Sequence, residues 1–213
     1  MQGGFHGQLH AFVGKTVDHQ FPSANTAIPH LVRHELADAA EGPLAALAER
    51  IRAAMADYLE RIPPGTDHPY LATAPEQWKL TMWATVLDQG GHQAAHVHPT
   101  GWLSGVYYAA VPAPAPGSPP DAGWIEFGRA PDDLNLSREA AVRKFEPVPG
   151  LMLLFPSYFY HRTLPFTGDG QRVSIAFDLM PLAEAAGARE LPETVRRAMA
   201  FTAGVMKALA YRI

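Results

Sequence analysis

The chain has 213 residues, of which 47% are hydrophobic and 18% are charged, and its formal net charge is −4. This length and composition predict one globular domain with a substantial core, and the negative charge argues against nucleic-acid binding through phosphate neutralisation. The sequence contains no cysteine, which excludes disulfides, thiolate catalysis and cysteine-ligated metal sites. Any metal must then be held by histidine, carboxylate or backbone oxygen.

The sequence carries no targeting or spanning segment that we can identify. Its first residues, Met1 to His6, lack the basic stretch and apolar run of a signal peptide. No stretch of about 18 uncharged apolar residues is present to cross a membrane. We therefore expect a cytoplasmic protein that does not bind a membrane.

Residues 1–74 are predicted to form a helical or extended N-terminal part. Residues 1–40 show little periodicity, but apolar residues recur at spacings of three and four from Pro43 onward. This spacing predicts an amphipathic helix over residues 43–62, ended by the Pro63-Pro64-Gly65 segment. The apolar positions are Leu44, Leu47, Ile51, Met55, Tyr58 and Ile62.

Residues 75–180 are predicted to form a β-barrel core. Short apolar and aromatic runs bounded by Gly and Pro indicate strands, which we place at residues 78–87, 104–111, 124–127, 151–155 and 172–179. Residues 112–123 contain five prolines and two glycines, which is typical of a surface loop, and this loop is a candidate lid. A short helical turn is predicted around residues 132–143.

Residues 183–213 are predicted to be a C-terminal helical extension. Within residues 192–211 the apolar side chains Val195, Met199, Met206 and Leu209 fall on one side of a helix. Gly204 weakens this prediction by roughly 1 kcal/mol relative to alanine. The helix either seals the barrel or pairs with a second chain, and the second alternative predicts a homodimer.

Helices at both ends with many short strands between them predict a mainly β fold, either a sandwich or a jelly roll flanked by helices. The last predicted strand supports this fold because its side chains alternate. One face is apolar, with Val173, Ile175, Phe177 and Leu179, and the other carries Arg172, Ser174, Ala176 and Asp178. We expect the apolar face to pack under the helix over residues 43–62 and the polar face to look into the barrel mouth.

Three histidines form a candidate metal site. His96 and His98 are two apart, and residues two apart on a strand project from one face. His161 follows another apolar strand and completes a three-point set if the fold joins the two strands. Such a set leaves metal positions open for substrate and oxygen, as a non-haem iron oxygenase needs. His92 is an alternative ligand, although we favour a surface role for it.

The identity of the third ligand is an alternative that the sequence leaves open. Oxygenase sites of this type usually combine two histidines with one carboxylate, but the residue two after His96 is His98. A carboxylate from another strand, such as Glu126, is the other candidate, and we prefer His98. Three neutral ligands make the iron face more positive and favour an anionic cosubstrate. Arg172, eleven residues after His161, and Ser174 are suited to bind its carboxylate.

Four segments carry a family resemblance: GWLSGVYY at residues 101–108, GWIEFG at 123–128, LFPSY at 154–158 followed by His161, and RVSIAFD at 172–178. They resemble bacterial 2-oxoglutarate/Fe(II)-dependent oxygenases, whose domain is sometimes fused to helical repeats. The resemblance covers about residues 75–180. Where the wider superfamily has His-x-Asp, this chain has His96-Val97-His98.

The resemblance implies a double-stranded β-helix with iron in its mouth. It also implies that Fe(II) and the cosubstrate 2-oxoglutarate serve a dioxygenase, an oxidoreductase that hydroxylates an unidentified small-molecule or protein substrate and releases succinate and CO2. The implied catalytic and metal-binding residues are His96, His98 and His161. The implied 2-oxoglutarate-binding residues are Arg172 and Ser174, which match the family's Arg-x-Ser element.

Two other functions stay open. Gly90 followed by His96 and His98 resembles the first motif of cupin-type metal enzymes that do not use 2-oxoglutarate, but the glutamate of that motif is absent. A non-catalytic module that only binds a metal or ligand is the second alternative. Aromatic residues near the proposed ligands are candidates for the substrate pocket: Trp102, Tyr107, Tyr158 and Tyr160.

Overall fold

The computed structural model describes residues 30–33, 36–39, 41–131, 134, 141–182 and 209–212. Within these residues, one α-helix, α1 (Gly42–Glu60), and two 3₁₀ turns at Leu36–Asp38 and Leu71–Thr73 accompany the strands. The strands are β1 (His30–Arg33), β2 (Trp78–Leu87), β3 (Gln93–His96), β4 (Leu103–Ala110), β5 (Ile125–Phe127), β6 (Arg143–Phe145), β7 (Leu151–Pro156), β8 (His161–Thr163), β9 (Arg172–Pro181) and β10 (Leu209–Arg212).

The strands form two antiparallel sheets. The major sheet has the order β1-β2-β9-β4-β7-β10, and the minor sheet has the order β3-β8-β5-β6. The longest strands of the major sheet are β2 and β9. They pair over ten residues, with Trp78 opposite Pro181 at one end and Leu87 opposite Arg172 at the other. Two such sheets with one apolar cluster between them form a jelly roll, so the predicted mainly β fold is confirmed.

The alternation of side chains along β9 separates two apolar clusters. Its odd-numbered residues from Val173 to Leu179 belong to the outer cluster, together with Leu47 and Ile51 of α1. The inner cluster lies between the sheets and contains Val106, Tyr108, Ile125, Phe127, Leu153, Phe155 and Phe159. The even-numbered residues of β9 therefore face the minor sheet, as the sequence pattern predicts.

Helix α1 covers the outer face of the major sheet. A proline lies in its first turn, where the missing N–H costs no intrahelical hydrogen bond. Its buried residues recur at helical spacing and all belong to the outer cluster: Leu44, Leu47, Ala48, Ile51, Ala54 and Met55. The predicted helix over residues 43–62 is confirmed, with the end of the helix two residues earlier.

The predicted C-terminal helix is wrong at its end. Residues Leu209–Arg212 form β10, which pairs antiparallel with Leu151–Leu154 of β7. The edge of β7 offers unpaired backbone groups, and satisfying them outweighs a weak helical pattern interrupted by glycine. The rest of the extension predicted over 183–213 lies outside the described residues.

The helical turn predicted around residues 132–143 is also wrong at its last residue, because Arg143 begins β6. Most of that segment lies outside the described residues. Across the described part of the chain, no helix has the length and hydropathy required for a membrane crossing.

We predict that Ile51→Ala lowers the free energy of unfolding by about 2–5 kcal/mol, because it leaves a cavity where α1 packs on the sheet. Ile51 is fully buried in the outer cluster. Urea unfolding followed by circular dichroism measures this change. Glu60→Ala, at an exposed position of the same helix, is the control and should stay within about 0.5 kcal/mol of the parent. Equal effects of the two substitutions would contradict the packing described here.

Candidate metal centre and anion site

The pairing of β3 with β8 brings two of the predicted histidines together. His96 and His161 are direct partners in this antiparallel ladder, so their side chains project from the same face of the minor sheet. Their ring centroids are 4.3 Å apart. The sequence placed these residues on separate segments, and the structure joins them through two short strands.

His98 reaches the same place by a different route from the predicted one. Strand β3 ends at His96, so His98 is not the next residue on that face of a strand. Its backbone N–H instead donates to the Ser157 carbonyl, with an N···O distance of 2.9 Å. Its ring centroid then lies 5.3 Å from that of His96 and 5.0 Å from that of His161. One potential ligand nitrogen from each of the three rings lies within 4.8 Å of the other two.

The hydrogen bonds of the three rings indicate which nitrogen of each ring can bind a metal. Nδ1 of His96 contacts the Ala94 carbonyl at 2.8 Å, and Nδ1 of His161 contacts the Phe159 carbonyl at 2.9 Å. Nδ1 of His98 contacts Oδ1 of Asp178 at 2.7 Å. Because these oxygens are acceptors, each Nδ1 carries the proton and each Nε2 keeps a free lone pair. The Nε2 atoms are thus the available metal ligands.

Burial favours the neutral form of two of these rings. Burial lowers the pKa of His161 well below its usual value, and the neighbouring His96 and His98 lower it further. Burial also lowers the pKa of His96, partly opposed by its hydrogen bond to Ala94. A metal binds the neutral imidazole, so both rings are ready for a cation at neutral pH.

Asp178 is a residue of this centre that the sequence reasoning placed on the polar face of β9 but gave no role. Its Oδ1 accepts from His98 Nδ1 and, at 2.6 Å, from the hydroxyl of Ser104. The ring of Trp83 lies 5.5 Å from that of His98. The signal available in the sequence was an acidic residue on a strand face that also carries Arg172.

Arg172 lies at the opposite end of the same face of β9. Its side chain is 2% exposed, and its Nε and Nη1 atoms have no hydrogen-bond partner among the described residues. Burial lowers the pKa of the guanidinium, and Tyr108 partly opposes this effect. A buried guanidinium with two unpaired nitrogens is costly unless an anion binds to it. The surroundings of Arg172 are therefore suited to an anion.

Two further polar side chains line the face near Arg172. Ser174 is buried and is the direct cross-strand partner of Thr85 on β2 and of Tyr108 on β4. The Tyr108 hydroxyl is buried and, within the described residues, lacks a hydrogen-bond partner. The guanidinium lies over its ring, with Cζ 5.2 Å from the ring centroid. Tyr108 is thus a further candidate donor to an anion beside Arg172, and the sequence reasoning missed it.

Glu126, the alternative third ligand, faces away from the histidines. It is the partner of Arg162 on β8, whereas His161 is the partner of the adjacent Phe127, so Glu126 and His161 project from opposite faces. Its carboxylate contacts Arg162 at 2.7 Å, Arg129 at 3.0 Å and Lys144 at 3.5 Å. Burial would raise its pKa, but the hydrogen bonds and charges of these arginines hold the pKa below its usual value.

Other predicted features lie away from the three histidines. Trp102 and Tyr107 pack in the outer cluster. His92 contacts only the Gly90 carbonyl and is not part of the metal-binding group. The loop over 112–123 is hydrogen-bonded to residues 165 and 167, and it borders a cavity of about 160 Å³ that reaches Arg172 but none of the histidines.

We predict that the metal-free protein loses stability as the pH falls below about 6.5, because the folded state holds His161 neutral while the unfolded chain binds its proton. The folded-state pKa is depressed, so this contribution is present above the unfolded pKa and is lost on acidification. Urea unfolding at about pH 7.5 and about pH 5.5 measures the effect. His161→Gln should reduce the pH dependence, and an unchanged dependence in that variant would contradict this origin.

A family model matches the central part of the chain. Residues 81–178 match the family model described as "Putative 2OG-Fe(II) oxygenase". This segment contains the three histidines, Arg172 and Asp178. No curated protein matches the chain.

Solved structures share the fold. A prolyl-4-hydroxylase from Pseudomonas putida is 17% identical with a TM-score of 0.54, and the match covers 86% of this chain and 89% of that one. HygX from Streptomyces hygroscopicus, solved with nickel and 2-oxoglutarate bound, is 13% identical with a TM-score of 0.54, over 88% and 85% of the two chains. SnoN, a non-heme alpha ketoglutarate dependent epimerase from nogalamycin biosynthesis, is 15% identical with a TM-score of 0.56, over 91% and 80%.

At these identities the solved structures show the fold alone. The family match agrees with the resemblance found in the sequence and favours an oxygenase over a cupin without 2-oxoglutarate or a non-catalytic module. The barrel segment over residues 81–178 is therefore similar to the 2OG-Fe(II) oxygenase family, and this match supports an oxygenase that uses Fe(II) and 2-oxoglutarate.

Proposed function

We propose that His96, His98 and His161 bind Fe(II) through their Nε2 atoms and that Arg172 and Ser174 bind the distal carboxylate of 2-oxoglutarate. The observation that carries this proposal is the buried guanidinium of Arg172, which lacks hydrogen-bond partners for Nε and Nη1 within the described residues. It lies on the face of β9 whose other end contacts His98. A dicarboxylate along this face would satisfy the guanidinium at one end and reach the metal at the other.

The charges support this assignment. Three neutral imidazoles leave both positive charges of Fe(II) uncompensated by the ligands themselves, and Arg172 adds a third positive charge. An anionic cosubstrate with two carboxylates complements this distribution. The hydroxyls of Ser174 and Tyr108 lie on the same face and are suited to donate to the distal carboxylate.

Bound Fe(II) and 2-oxoglutarate supply the activation of O2 for oxidation of a substrate C–H bond, with succinate and CO2 as products. The chain's own residues position these groups. Hydrogen bonds at Nδ1 fix the orientation of each histidine ring, and the packing of Phe155 and Phe127 on His161 excludes water from one side of the site.

We further propose hydroxylation of a small-molecule or protein substrate as the outcome. The similar structures include both a hydroxylase and an epimerase, so the shared fold does not distinguish between these outcomes. A cytoplasmic location, a single domain over residues 1–213, the lack of a nucleic-acid partner and homodimerisation stay predictions from the sequence. The net charge of −4 supports the lack of a nucleic-acid partner.

We predict that 2-oxoglutarate added anaerobically to the Fe(II)-loaded protein produces a weak metal-to-ligand charge-transfer band in the visible spectrum. In Arg172→Ala the cosubstrate should bind about 10- to 100-fold more weakly, because hydrogen bonds to a charged group are lost. Arg172→Lys keeps the charge without the planar fork and should fall between the two. Properly metallated wild-type protein without any band would overturn the assignment of 2-oxoglutarate to this site.

We also predict that His98→Ala sharply weakens Fe(II) binding, whereas Glu126→Gln leaves the dissociation constant within about twofold. The reason is that His98 is one of the three grouped histidines, whereas the Glu126 carboxylate contacts three cationic side chains on the opposite face of the sheet. Anaerobic calorimetry of the two folded variants measures the difference. The reverse order of effects would make a carboxylate the third ligand.

A further inference from the structure

The carboxylate of Asp178 is a buried charge, and the proposed function uses its hydrogen bond to His98 but not its charge. Its side chain is 6% exposed, and its Oδ1 accepts hydrogen bonds from His98 at 2.7 Å and Ser104 at 2.6 Å. Among the described residues it forms no salt bridge with a lysine or arginine. Burying an anion without a cation is unfavourable, so a positive charge is expected next to this pair.

A second set of contacts holds the Asp178–His98 pair in place. The Ser104 hydroxyl donates to Asp178, and the Ser157 hydroxyl lies 2.7 Å from the Ser104 hydroxyl. The Ser157 carbonyl accepts the backbone N–H of His98. The same serines thus fix both the ring's carboxylate partner and the ring's backbone.

Gly101 leaves the space that this arrangement needs. A Cβ atom at position 101 would lie 2.7 Å from Ser157 Oγ and 3.2 Å from Asp178 Cγ. The first distance is shorter than the van der Waals contact distance between a carbon and an oxygen atom. A side chain at this position would therefore displace Ser157 or Asp178 from their contacts.

We propose that Asp178 is a positioning residue of the metal centre. A two-histidine-one-carboxylate site has a negative charge on one of its ligands, and here Asp178 supplies that charge without being a ligand. Its hydrogen bond fixes the Nδ1-protonated tautomer of His98 and orients Nε2 toward the metal. It also makes Nε2 a stronger electron-pair donor to the metal. This inference rests on the proposed function, because it requires His98 to be a ligand.

Glu126 provides the contrast within the same protein. It too is a buried carboxylate, but it is paired with Arg129, Lys144 and Arg162. Cationic side chains thus compensate the charge of Glu126. The Asp178 carboxylate instead accepts a hydrogen bond from the imidazole of His98, one of the three grouped histidines. This difference makes Glu126→Gln the matched control for Asp178→Asn, since each substitution removes one buried charge at nearly constant volume.

The test is a titration of metal-free protein with Co(II), followed by visible absorption. Asp178→Asn should bind Co(II) about 10- to 100-fold more weakly than wild type, and its bound spectrum should shift because the donor strength of His98 changes. Glu126→Gln should match the wild type in both respects. A merely structural residue would change the melting temperature of the metal-free protein without moving the spectrum of the folded, Co(II)-bound form.

The outcomes separate the two proposals. An Asp178→Asn protein with the wild-type dissociation constant and spectrum would overturn the role of Asp178 and leave the three-histidine site intact. Undiminished Co(II) binding by His98→Ala would instead overturn the ligand set itself. Ser104→Ala provides a second variant should Asp178→Asn fail to fold. Its hydroxyl acts through Asp178 and His98, so a shifted Co(II) spectrum would support the proposal and an unchanged one would overturn it.

Discussion

Strand β9 is held in the middle of the major sheet, paired on both sides, and the period-two alternation of its side chains constrains the rest of the molecule. One face must be apolar because α1 covers it. The other face must satisfy or compensate every polar group that it buries. Because both requirements act on one strand, the core that stabilises the barrel and the polar face that serves the site are fixed in register with each other.

The polar face of β9 ends in two buried charges of opposite sign that do not neutralise each other. Arg172 lies at the start of the strand and Asp178 six residues later, which corresponds to about 20 Å between their Cα atoms at the rise of an extended chain. At that separation their mutual attraction is weak. In the proposed function each charge has its own bound partner, an anion beside the guanidinium and a cation beyond the imidazole of His98. A dicarboxylate bound to a divalent metal would supply both.

Much of the fold could be predicted because its long elements have strong periodicity. Each end of the helix and of the five apolar strands, including those predicted at residues 78–87 and 172–179, lies within two residues of its predicted position. Strands β3 and β8 were missed because four- and three-residue strands with His, Gln and Arg carry no alternation that stands out from a loop. The grouping of His96, His98 and His161 was nevertheless anticipated from residue type and resemblance. The reason given for His98 was incomplete, since its position depends on a backbone hydrogen bond to Ser157. Strand pairing brings Asp178 next to Ser104 and Tyr108 next to Arg172, and the sequence does not specify that pairing.

The His98–Asp178 contact joins residues 80 positions apart in the chain, and strand β2 pairs with β9 across a similar separation. Contacts of such long range form late in folding, because the entropy of closing the intervening loop must be overcome first. The metal centre therefore exists only once the central sheet is assembled. A metal ion that binds this centre stabilises the native state and not the unfolded chain, so its main kinetic effect is to slow unfolding rather than to speed folding.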